Sequence, residues 1–470
     1  MSVALNSHLR PVPSTDVQRI PGLVSELRAH FDSGHTRPLA WRRQQIERLR
    51  AMVRNHADEF VEALRADLRK PELEAWGMDV GQVTTEASLA LKNLKRWTRP
   101  ERAGWIPFPG RSRTVREPLG VVLIIAPWNY PVGLLLSPLV GALAAGNCAV
   151  LKPSEATIHT SAVLARRVRE ALDPDAVRIV EGGVDETTAL LEQRFDHVFY
   201  TGGGRVGRVV MRAAAENLTP VTLELGGKSP CIVDADVDLR ITARRIAWGK
   251  FINAGQTCVA PDYVLVHESR EQELIREIGS AVREFYGDDP KASPHYARIV
   301  NPQHHQRLAG LLGSGEVALG GGVDADDRYI EPTVLRAVSP ESPIMQDEIF
   351  GPILPVLTIR SREEAIDFVN AREKPLALYA FSNDPELERM VVEQTSSGGV
   401  CVNGTILHIA NAALPFGGVG ASGMGAYHGR HTFETFSHRK AVMTRGLRFD
   451  PKLMYPPYSD RKTRMMKRFL

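Results

Sequence analysis

The feature that most constrains the fold of this 470-residue chain is a long segment without charged side chains, from Gly120 to Leu151. Its length would suffice for a transmembrane helix. Three prolines interrupt it, however, and proline removes helix hydrogen bonds that lipid cannot replace. We therefore predict that the segment is buried in a globular protein, as strand 121–126, a loop, a helix near 138–145 and strand 148–151.

Short apolar runs alternate with helical patterns through the first half of the chain. The predicted strands are 121–126, 148–151, 178–180, 197–200 and 221–225. The helices between them are predicted near 136–146, 158–172, 185–193 and 205–217. This alternation indicates an α/β fold with a parallel sheet covered on both faces. A helical region at 38–69 precedes it, and a second α/β block follows, with helices near 237–252, 270–285 and 362–371 and strands near 263–266, 354–358 and 399–402.

Composition and charge exclude several classes of protein. The chain is 43% hydrophobic and 24% charged, which is typical of a globular protein. Its four cysteines have no C-x-x-C spacing, so we expect reduced thiols, no metal site and a cytoplasmic location, with no secretory signal at the N-terminus. Five of the 58 basic residues lie in the last ten positions, so the remainder is nearly neutral and a nucleic-acid partner is not expected. The basic tail is interpreted as a solvated terminus, with peripheral membrane or RNA contact as the alternative.

A glycine-rich turn follows the predicted strand 197–200. Gly202, Gly204 and Gly207 satisfy the pattern G-x-G-x-x-G and open a predicted helix, whose N-terminus can approach a pyrophosphate. The alternative is a tight strand–helix turn without a ligand. The usual rule expects a ribose-binding acid about 20 residues further on, which would assign that role to Glu224.

A cysteine and a glutamate are the candidates for covalent and acid–base chemistry. Cys258 lies in a polar, glycine-containing turn, so we expect its thiol to be partly exposed, with a lowered pKa. Cys148 and Cys231 lie beside apolar strand residues and fit the core. Glu224 ends a strand before two glycines, and apolar surroundings would raise its pKa and suit it to work as a general base. The alternatives are a core cysteine and a solvated acid.

Together these motifs resemble those of the aldehyde dehydrogenase superfamily, and the separation of 34 positions from Glu224 to Cys258 matches the family's spacing. The matching segments are 126–131 (APWNYP), 151–155 (LKPSE), the glycine turn, 223–228 (LELGGK), 255–258 (GQTC), 348–352 (EIFGP) and 415–418 (PFGG). Segments 258–263 and 420–429 resemble the class 3 branch, which contains fatty aldehyde and coniferyl aldehyde dehydrogenases. The segment YPPY at 455–458 is most similar to the bacterial coniferyl aldehyde type.

The resemblance implies NAD(P)-dependent oxidation of an aldehyde to a carboxylic acid through a cysteine thiohemiacetal and a thioester. The substrate would be an aromatic aldehyde such as coniferyl aldehyde, or a medium- or long-chain aliphatic one. Cys258 would be the nucleophile, Asn129 an oxyanion donor and Glu224 the base that activates water rather than a ribose ligand. A CoA-acylating aldehyde dehydrogenase and a non-enzymatic protein on the same fold are the alternatives, and Glu224 argues against the first.

The resemblance also implies a cofactor site. Lys152 and Glu155 would bind the adenosine ribose, and the charge of Glu155 disfavours a 2′-phosphate, so NAD is the first choice and NADP stays open. Glu348 and Phe350 would lie at the nicotinamide ribose and ring. The other cofactor-binding residues implied are Trp128, Thr201, Gly202, Gly203 and Gly207, with Gly203 standing where the family often has serine.

The resemblance finally implies a fold like that of aldehyde dehydrogenases, with a Rossmann-type cofactor domain, an α/β catalytic domain and a small bridging β element. The cofactor-binding domain would comprise 1–104 and 119–226, and the catalytic domain 227–396. A bridging element of 105–118, containing a hairpin, and 397–450 would mediate a homodimer, and 451–470 would form the basic tail. The hydrophobic C-terminal anchor of some fatty aldehyde relatives has no counterpart here, so no stable membrane anchor is expected.

Overall fold

The structure, a computed structural model, describes residues 14–104, 110–448, 450 and 452–469. Its helices are α1 (Ile20–Asp32), α2 (Leu39–Asn55), α3 (Ala57–Leu68), α4 (Glu72–Ala75), α5 (Gly81–Trp97), α6 (Gly133–Ala145), α7 (Ile158–Ala171), α8 (Val184–Leu191), α9 (Gly204–Ala215), α10 (Leu239–Phe251), α11 (Glu271–Tyr286), α12 (Pro302–Ala309), α13 (Arg362–Asn370), α14 (Pro385–Gln394), α15 (Arg430–Thr435) and α16 (Asp460–Phe469). Its strands are β1 (Glu101–Arg102), β2 (Arg111–Pro118), β3 (Val121–Ile125), β4 (Cys148–Lys152), β5 (Val177–Ile179), β6 (His197–Gly202), β7 (Val221–Leu225), β8 (Pro230–Val233), β9 (Tyr263–His267), β10 (Glu316–Leu319), β11 (Val323–Asp324), β12 (Tyr329–Ile330), β13 (Thr333–Arg336), β14 (Ile353–Ile359), β15 (Ala377–Phe381), β16 (Gly399–Val402), β17 (Gly423–Met424) and β18 (Ser437–Thr444).

The uncharged segment forms β3, α6 and β4, as predicted, and every residue of these three elements is buried. Pro138 lies inside α6. Because protein surrounds this helix on all sides, its apolar sequence needs no polar face. Among the described residues, no helix is both long enough and apolar enough to cross a bilayer.

The first large sheet has the strand order β17-β7-β6-β3-β4-β5. From β7 to β5 all neighbouring strands are parallel, and α6, α7, α8 and α9 connect them. The strands and helices predicted between 121 and 225 are therefore confirmed, with ends that differ by a few residues. Strand β17 is antiparallel to β7 and pairs Gly423 with Glu224.

The second large sheet has the strand order β10-β13-β14-β9-β8-β15-β16, parallel except at β10. The sequence pattern identifies β9, β14 and β16 but misses β8, β13 and β15. A proline begins β8 and lies one or two residues before β13 and β15, and a proline in or beside a short apolar run argues against assigning it as a strand. The sheet has its own buried core, separate from the core around the first sheet.

A third, smaller sheet joins β1, β2 and β18 in antiparallel pairs. Strands β2 and β18 pair over their whole length, from Pro118 and Ser437 to Arg111 and Thr444. Residues 105–109 of the predicted hairpin lie outside the described residues. The predicted helical region 38–69 forms two helices, α2 and α3, which meet at His56 because its backbone leaves the helical conformation.

Candidate active site

The turn that carries Cys258 has a strained backbone. Asn253 and Ala254 have φ values of 49° and 50°, and Gly255 follows with 73°. Positive φ at a non-glycine residue costs about 1–3 kcal/mol, so the surrounding structure must hold the turn in place. The Asn253 side chain donates to the carbonyls of Asn129 and Gln256 at 3.0 and 3.1 Å, and Gln256 Nε2 donates to the carbonyl of Arg298 at 2.9 Å. This network fixes the turn that ends at Cys258.

A cavity of about 310 Å³ opens on Cys258, whose side chain is partly exposed to it. Its wall is mostly apolar and aromatic and includes Leu134, Trp248, Ile406, Phe416 and Tyr427. A volume of this size lies at the lower end of the range for small-molecule sites. The thiol therefore faces a space suited to an apolar tail of modest size.

Asn129 lies directly beside the nucleophile turn. It is buried after β3, and its Nδ2 donates to the carbonyl of Gln256 at 3.1 Å. A side-chain amide carries two N–H groups. The second one makes no hydrogen bond within the part of the chain that the structure describes, so Asn129 has a donor to offer to a bound oxygen.

A buried ion pair supports Asn129 from behind. Lys70 and Asp79 have fully buried side chains, and Lys70 Nζ lies 3.5 Å from Asp79 Oδ2. The ammonium group also donates to the Asn129 carbonyl at 2.8 Å and lies over the Tyr130 ring. Asp79 Oδ1 accepts from the backbone N–H of Gly133 at the start of α6. The pair thus joins the end of α3 to the loop that carries Asn129.

We expect Asp79→Ala to lower the free energy of unfolding by about 3–5 kcal/mol, because it removes the carboxylate that contacts the buried Lys70 ammonium and accepts from Gly133. Denaturant unfolding measures this change. The matched control is Glu47→Ala, which breaks a half-exposed pair with Arg43 and should cost less than about 0.5 kcal/mol. A loss below about 1 kcal/mol for Asp79→Ala would show that the pair does not hold this region together.

Glu224 lies near the end of β7 and is only 3% exposed. Neither of its carboxylate oxygens has a hydrogen-bond partner among the residues described. Burial raises the pKa of Glu224 well above its ordinary value. The Glu224 carboxylate therefore binds a proton more tightly than an ordinary glutamate does, which suits it to work as a general base.

The pKa of Cys258 is raised, first by burial and then by the negative charges of Glu348 and Glu224. The expectation of a lowered thiol pKa is therefore wrong for these surroundings. The lysine of the Glu224 motif does not compensate, because Lys228 donates to Asp262 at 2.6 Å and to two backbone carbonyls. The charges of both carboxylates reach the thiol, so the three groups are near one another.

A second cavity, which we call the cleft, has a volume of about 540 Å³. Its lining includes Gly204, Leu225, Gly227, Lys228 and Glu348. The glycine turn forms the strand–turn–helix unit expected from the sequence. Strand β6 ends at Gly202, Gly203 follows, and α9 begins at Gly204 without a side-chain cap.

The chemistry of this turn fits a dinucleotide. A Cβ on Gly203 would meet nothing within 4 Å, whereas a Cβ on Gly207 would come within 2.8 Å of Leu225 in β7. Gly203 thus leaves the N-terminus of α9 open, and Gly207 lets α9 pack closely on the sheet. Thr201 Oγ1 is buried and makes no hydrogen bond within the described ranges. An open helix N-terminus with a nearby unpaired hydroxyl suits a pyrophosphate.

Lys152 and Glu155 lie together at the carboxyl end of β4. Lys152 Nζ is buried, donates to the carbonyls of Pro153 and Gly182 at 2.9 and 2.7 Å, and lies 3.8 Å from the Glu155 carboxylate. Burial lowers the pKa of Lys152. Glu155 is about half exposed. Ligands of open parallel sheets bind at this edge, so both residues are placed to meet one.

Glu348 lines the cleft, and Phe350, two residues further along the chain, contacts Trp128. Burial, with the charge of Asp262, raises the pKa of Glu348 to about 8. Its carboxylate packs against Gly226, where a Cβ would overlap it. Phe350 has a φ of 51°, and its ring meets that of Trp128 edge-on, with centroids 5.2 Å apart. Of the residues singled out from sequence, Glu348 lines the cleft and Cys258 lines the cavity, whereas Lys152 and Glu155 lie at the carboxyl end of β4.

An open helix N-terminus that follows a strand of a Rossmann-type parallel sheet is typical of dinucleotide-binding proteins. Comparison with known proteins identifies the family. The chain belongs to the aldehyde dehydrogenase family, whose sequence model matches residues 4–442. It is an NAD(P)-dependent enzyme that oxidises aldehydes.

The similar proteins include members of aldehyde dehydrogenase family 3. The chain is 50% identical to family 3 member A2 of Rattus norvegicus over 95% of this chain and 93% of that protein. It is 48% identical to the dimeric NADP-preferring aldehyde dehydrogenase of Mus musculus, over 94% of this chain and 98% of that one. The solved structure of substrate-bound Staphylococcus aureus AldH superposes with a TM-score of 0.94 at 45% identity, covering 96% and 99% of the two chains. The resemblance to the class 3 branch and the expected fold are confirmed.

Proposed function

We propose that this enzyme converts aldehydes with an aromatic or a medium- to long-chain aliphatic tail, coniferyl aldehyde being one example, into free carboxylic acids. One observation carries the proposal. Cys258 lines the apolar cavity, and the charges of the buried Glu224 and Glu348 carboxylates act on its thiol. An aldehyde whose tail fills the cavity would therefore have its carbonyl carbon beside the sulfur.

In the proposed first half-reaction, the Cys258 thiol gives its proton to a water molecule in the cavity, and the thiolate sulfur bonds to the aldehyde carbon. The negative charge that forms on the oxygen is stabilised by hydrogen bonds from Asn129 Nδ2 and the backbone N–H of Cys258. One such donor typically raises the rate about 10²–10³-fold. When bound, the oxidised nicotinamide supplies an acceptor for the hydride of the thiohemiacetal. Trp128, Glu348 and Phe350 are the residues that we expect to hold that end of the cofactor.

In the proposed second half-reaction, Glu224 takes a proton from a water molecule whose oxygen attacks the thioester carbon. The carbon–sulfur bond then breaks and the acid leaves. The position of Glu224 supports this role over the ribose-binding role that the glycine rule would give it. Its carboxylate acts on the Cys258 thiol, whereas Lys152 and Glu155 lie at the end of another strand.

The choice between water and coenzyme A can be tested directly. We expect the purified enzyme to form NADH and an equal amount of free acid from cinnamaldehyde or hexanal in the absence of coenzyme A, because Glu224 supplies a base for water. Absorbance at the NADH band and chromatography of the acid measure the two products. An absolute requirement for coenzyme A would indicate the acylating reaction, and absence of turnover with a broad aldehyde panel would indicate a binding protein.

We propose NAD as the first cofactor, with Lys152, Glu155, Thr201, Gly202, Gly203 and Gly207 holding its adenosine and pyrophosphate. The Glu155 carboxylate would repel a 2′-phosphate. Because its side chain is half exposed, it is also free to turn away. NADP use is therefore compatible with the site, and a relative named as NADP-preferring has 48% identity to this chain.

We further propose a homodimer built on the bridging element, 105–118 and 397–450, next to a cofactor domain of 1–104 and 119–226 and a catalytic domain of 227–396. The separate cores of the two large sheets support the division. Strands β16 and β18 are sheet edges, and unpaired edges favour pairing with another chain. A relative carries the word dimeric in its name. A cytoplasmic site of action is proposed from the four cysteines, which form no disulfide.

A further inference from the structure

The cavity that opens on Cys258 carries three polar side chains in one group, Gln82, Glu86 and His428, which we call the polar ledge. Gln82 and Glu86 are four residues apart on α5, so they lie on the same face of that helix. His428 comes from the loop before α15 and lies with its Nε2 atom 3.4 Å from Gln82 Nε2. The ledge thus interrupts a wall that is otherwise mostly apolar.

The ledge is held firmly in place. Glu86 Oε2 accepts from the backbone N–H of Gly429 at 2.9 Å, which pins the loop to α5. His428 has a φ of 79°, a strained value for this residue type, and its ring stacks on Phe416 with an interplanar angle of 15°. Burial lowers the pKa of His428 to about 4, so its ring is neutral at pH 7. A strained residue fixed in a ligand cavity points to a functional role.

The ledge has hydrogen-bonding capacity that the protein does not use. Gln82 offers two N–H donors and a carbonyl oxygen, and its one side-chain hydrogen bond among the described residues is the long contact to His428. Glu86 Oε1 makes none within the same residues. Polar groups in an apolar cavity are costly unless they bind something. The ledge is therefore suited to a polar group on a ligand whose remainder is apolar.

The surroundings of the ledge favour a flat ligand. The rings of Tyr130, Trp248, Phe416 and Tyr427 all line the same cavity. Tyr427 lines this cavity together with Cys258 and Glu86. One small molecule can therefore reach from the thiol to the ledge.

We propose that the polar ledge binds a hydroxyl group on the tail of the substrate, so that hydroxyaryl aldehydes are preferred over aldehydes with a purely apolar tail. This inference rests on the proposed function and narrows its substrate class. A hydroxyl can donate to Glu86 or His428 and accept from Gln82 at the same time. An alkyl tail would leave Glu86 Oε1 and the carbonyl oxygen and second N–H of Gln82 without a partner among the described residues.

The test compares 4-hydroxycinnamaldehyde with cinnamaldehyde by their kcat/KM ratio, in the unaltered enzyme and in Gln82→Leu. The hydroxyl also changes the reactivity of the carbonyl itself, but this effect cancels when the ratios of the two proteins are compared. We expect the ratio to fall at least about tenfold in Gln82→Leu, because a site that hydrogen-bonds a substrate hydroxyl discriminates strongly against its absence. Glu86→Gln keeps an acceptor for Gly429 and should keep the ratio within about threefold.

Ser88→Ala is the matched control, because Ser88 lies on the exposed side of α5 and donates to its own helix. Its ratio should equal that of the unaltered enzyme. If Gln82→Leu leaves the ratio unchanged, whether or not kcat/KM falls equally for both aldehydes, the hydroxyl subsite is overturned and the proposed function is left intact. Absence of NADH formation from every aldehyde in the unaltered enzyme would instead overturn the proposed function.

Discussion

Cys258→Ala is expected to lower kcat by at least about 10⁴-fold, because without the sulfur no covalent intermediate forms and hydride has no activated donor. Binding of NAD should change little. Cys258 lines the apolar cavity, whereas the glycine turn and Lys152, which carry the proposed adenosine and pyrophosphate site, do not line that cavity. Steady-state NADH formation measures the first effect, and quenching of protein fluorescence by NAD measures the second.

Cys401→Ala is the matched control for this prediction. Cys401 is also a free, partly exposed cysteine, but it lies in the edge strand β16 rather than in the turn after α10. Its replacement should leave kcat within about twofold, as is usual for changes away from a reacting group. If Cys258→Ala kept more than a tenth of the activity, the cysteine would not be the nucleophile and the proposed mechanism would fail.

Much of the first sheet can be predicted from sequence, because its strands are buried on both faces and separated by helices of ordinary length. Strands β3 and β4 illustrate this, since each is a continuous run of apolar residues that ends at a turn signal. The same reasoning fails for β8, which has only four residues and begins with a proline. Short runs carry no periodicity that separates a strand from a buried loop.

The candidate site is predicted less completely, because its properties depend on residues distant in sequence. The pKa of Cys258 is raised by burial and by the charges of Glu348 and Glu224, and no local sequence pattern reveals either cause. The polar ledge joins residues 346 positions apart, and Lys70 and Asp79 give no sign that they are buried. Charged residues are usually solvated, so their burial becomes visible only in the folded structure.

The same dependence on neighbours determines what happens when the base is removed. We expect Glu224→Gln to lower steady-state kcat by about 10²–10⁴-fold, because water loses its proton acceptor. The first turnover should survive. Glu224 raises the pKa of the Cys258 thiol through its charge, so its neutral replacement favours the thiolate and does not hinder attack on the aldehyde. Rapid-mixing experiments should therefore show a burst of about one NADH per site, followed by slow turnover.

The dependence of kcat on pH is an independent test of Glu224 as the base. Because burial raises the pKa of Glu224 well above its ordinary value, the ionised base becomes more abundant as pH rises above the range in which an ordinary glutamate ionises, and kcat of the unaltered enzyme should rise with it. Glu224→Gln should lose this rise, whereas Glu216→Gln, an exposed acid at the end of α9, should keep it. A Glu224→Gln enzyme with normal kcat and a higher KM for NAD would contradict the assignment. Glu224 would then serve the ribose, as the glycine rule predicts, and the water would need another base.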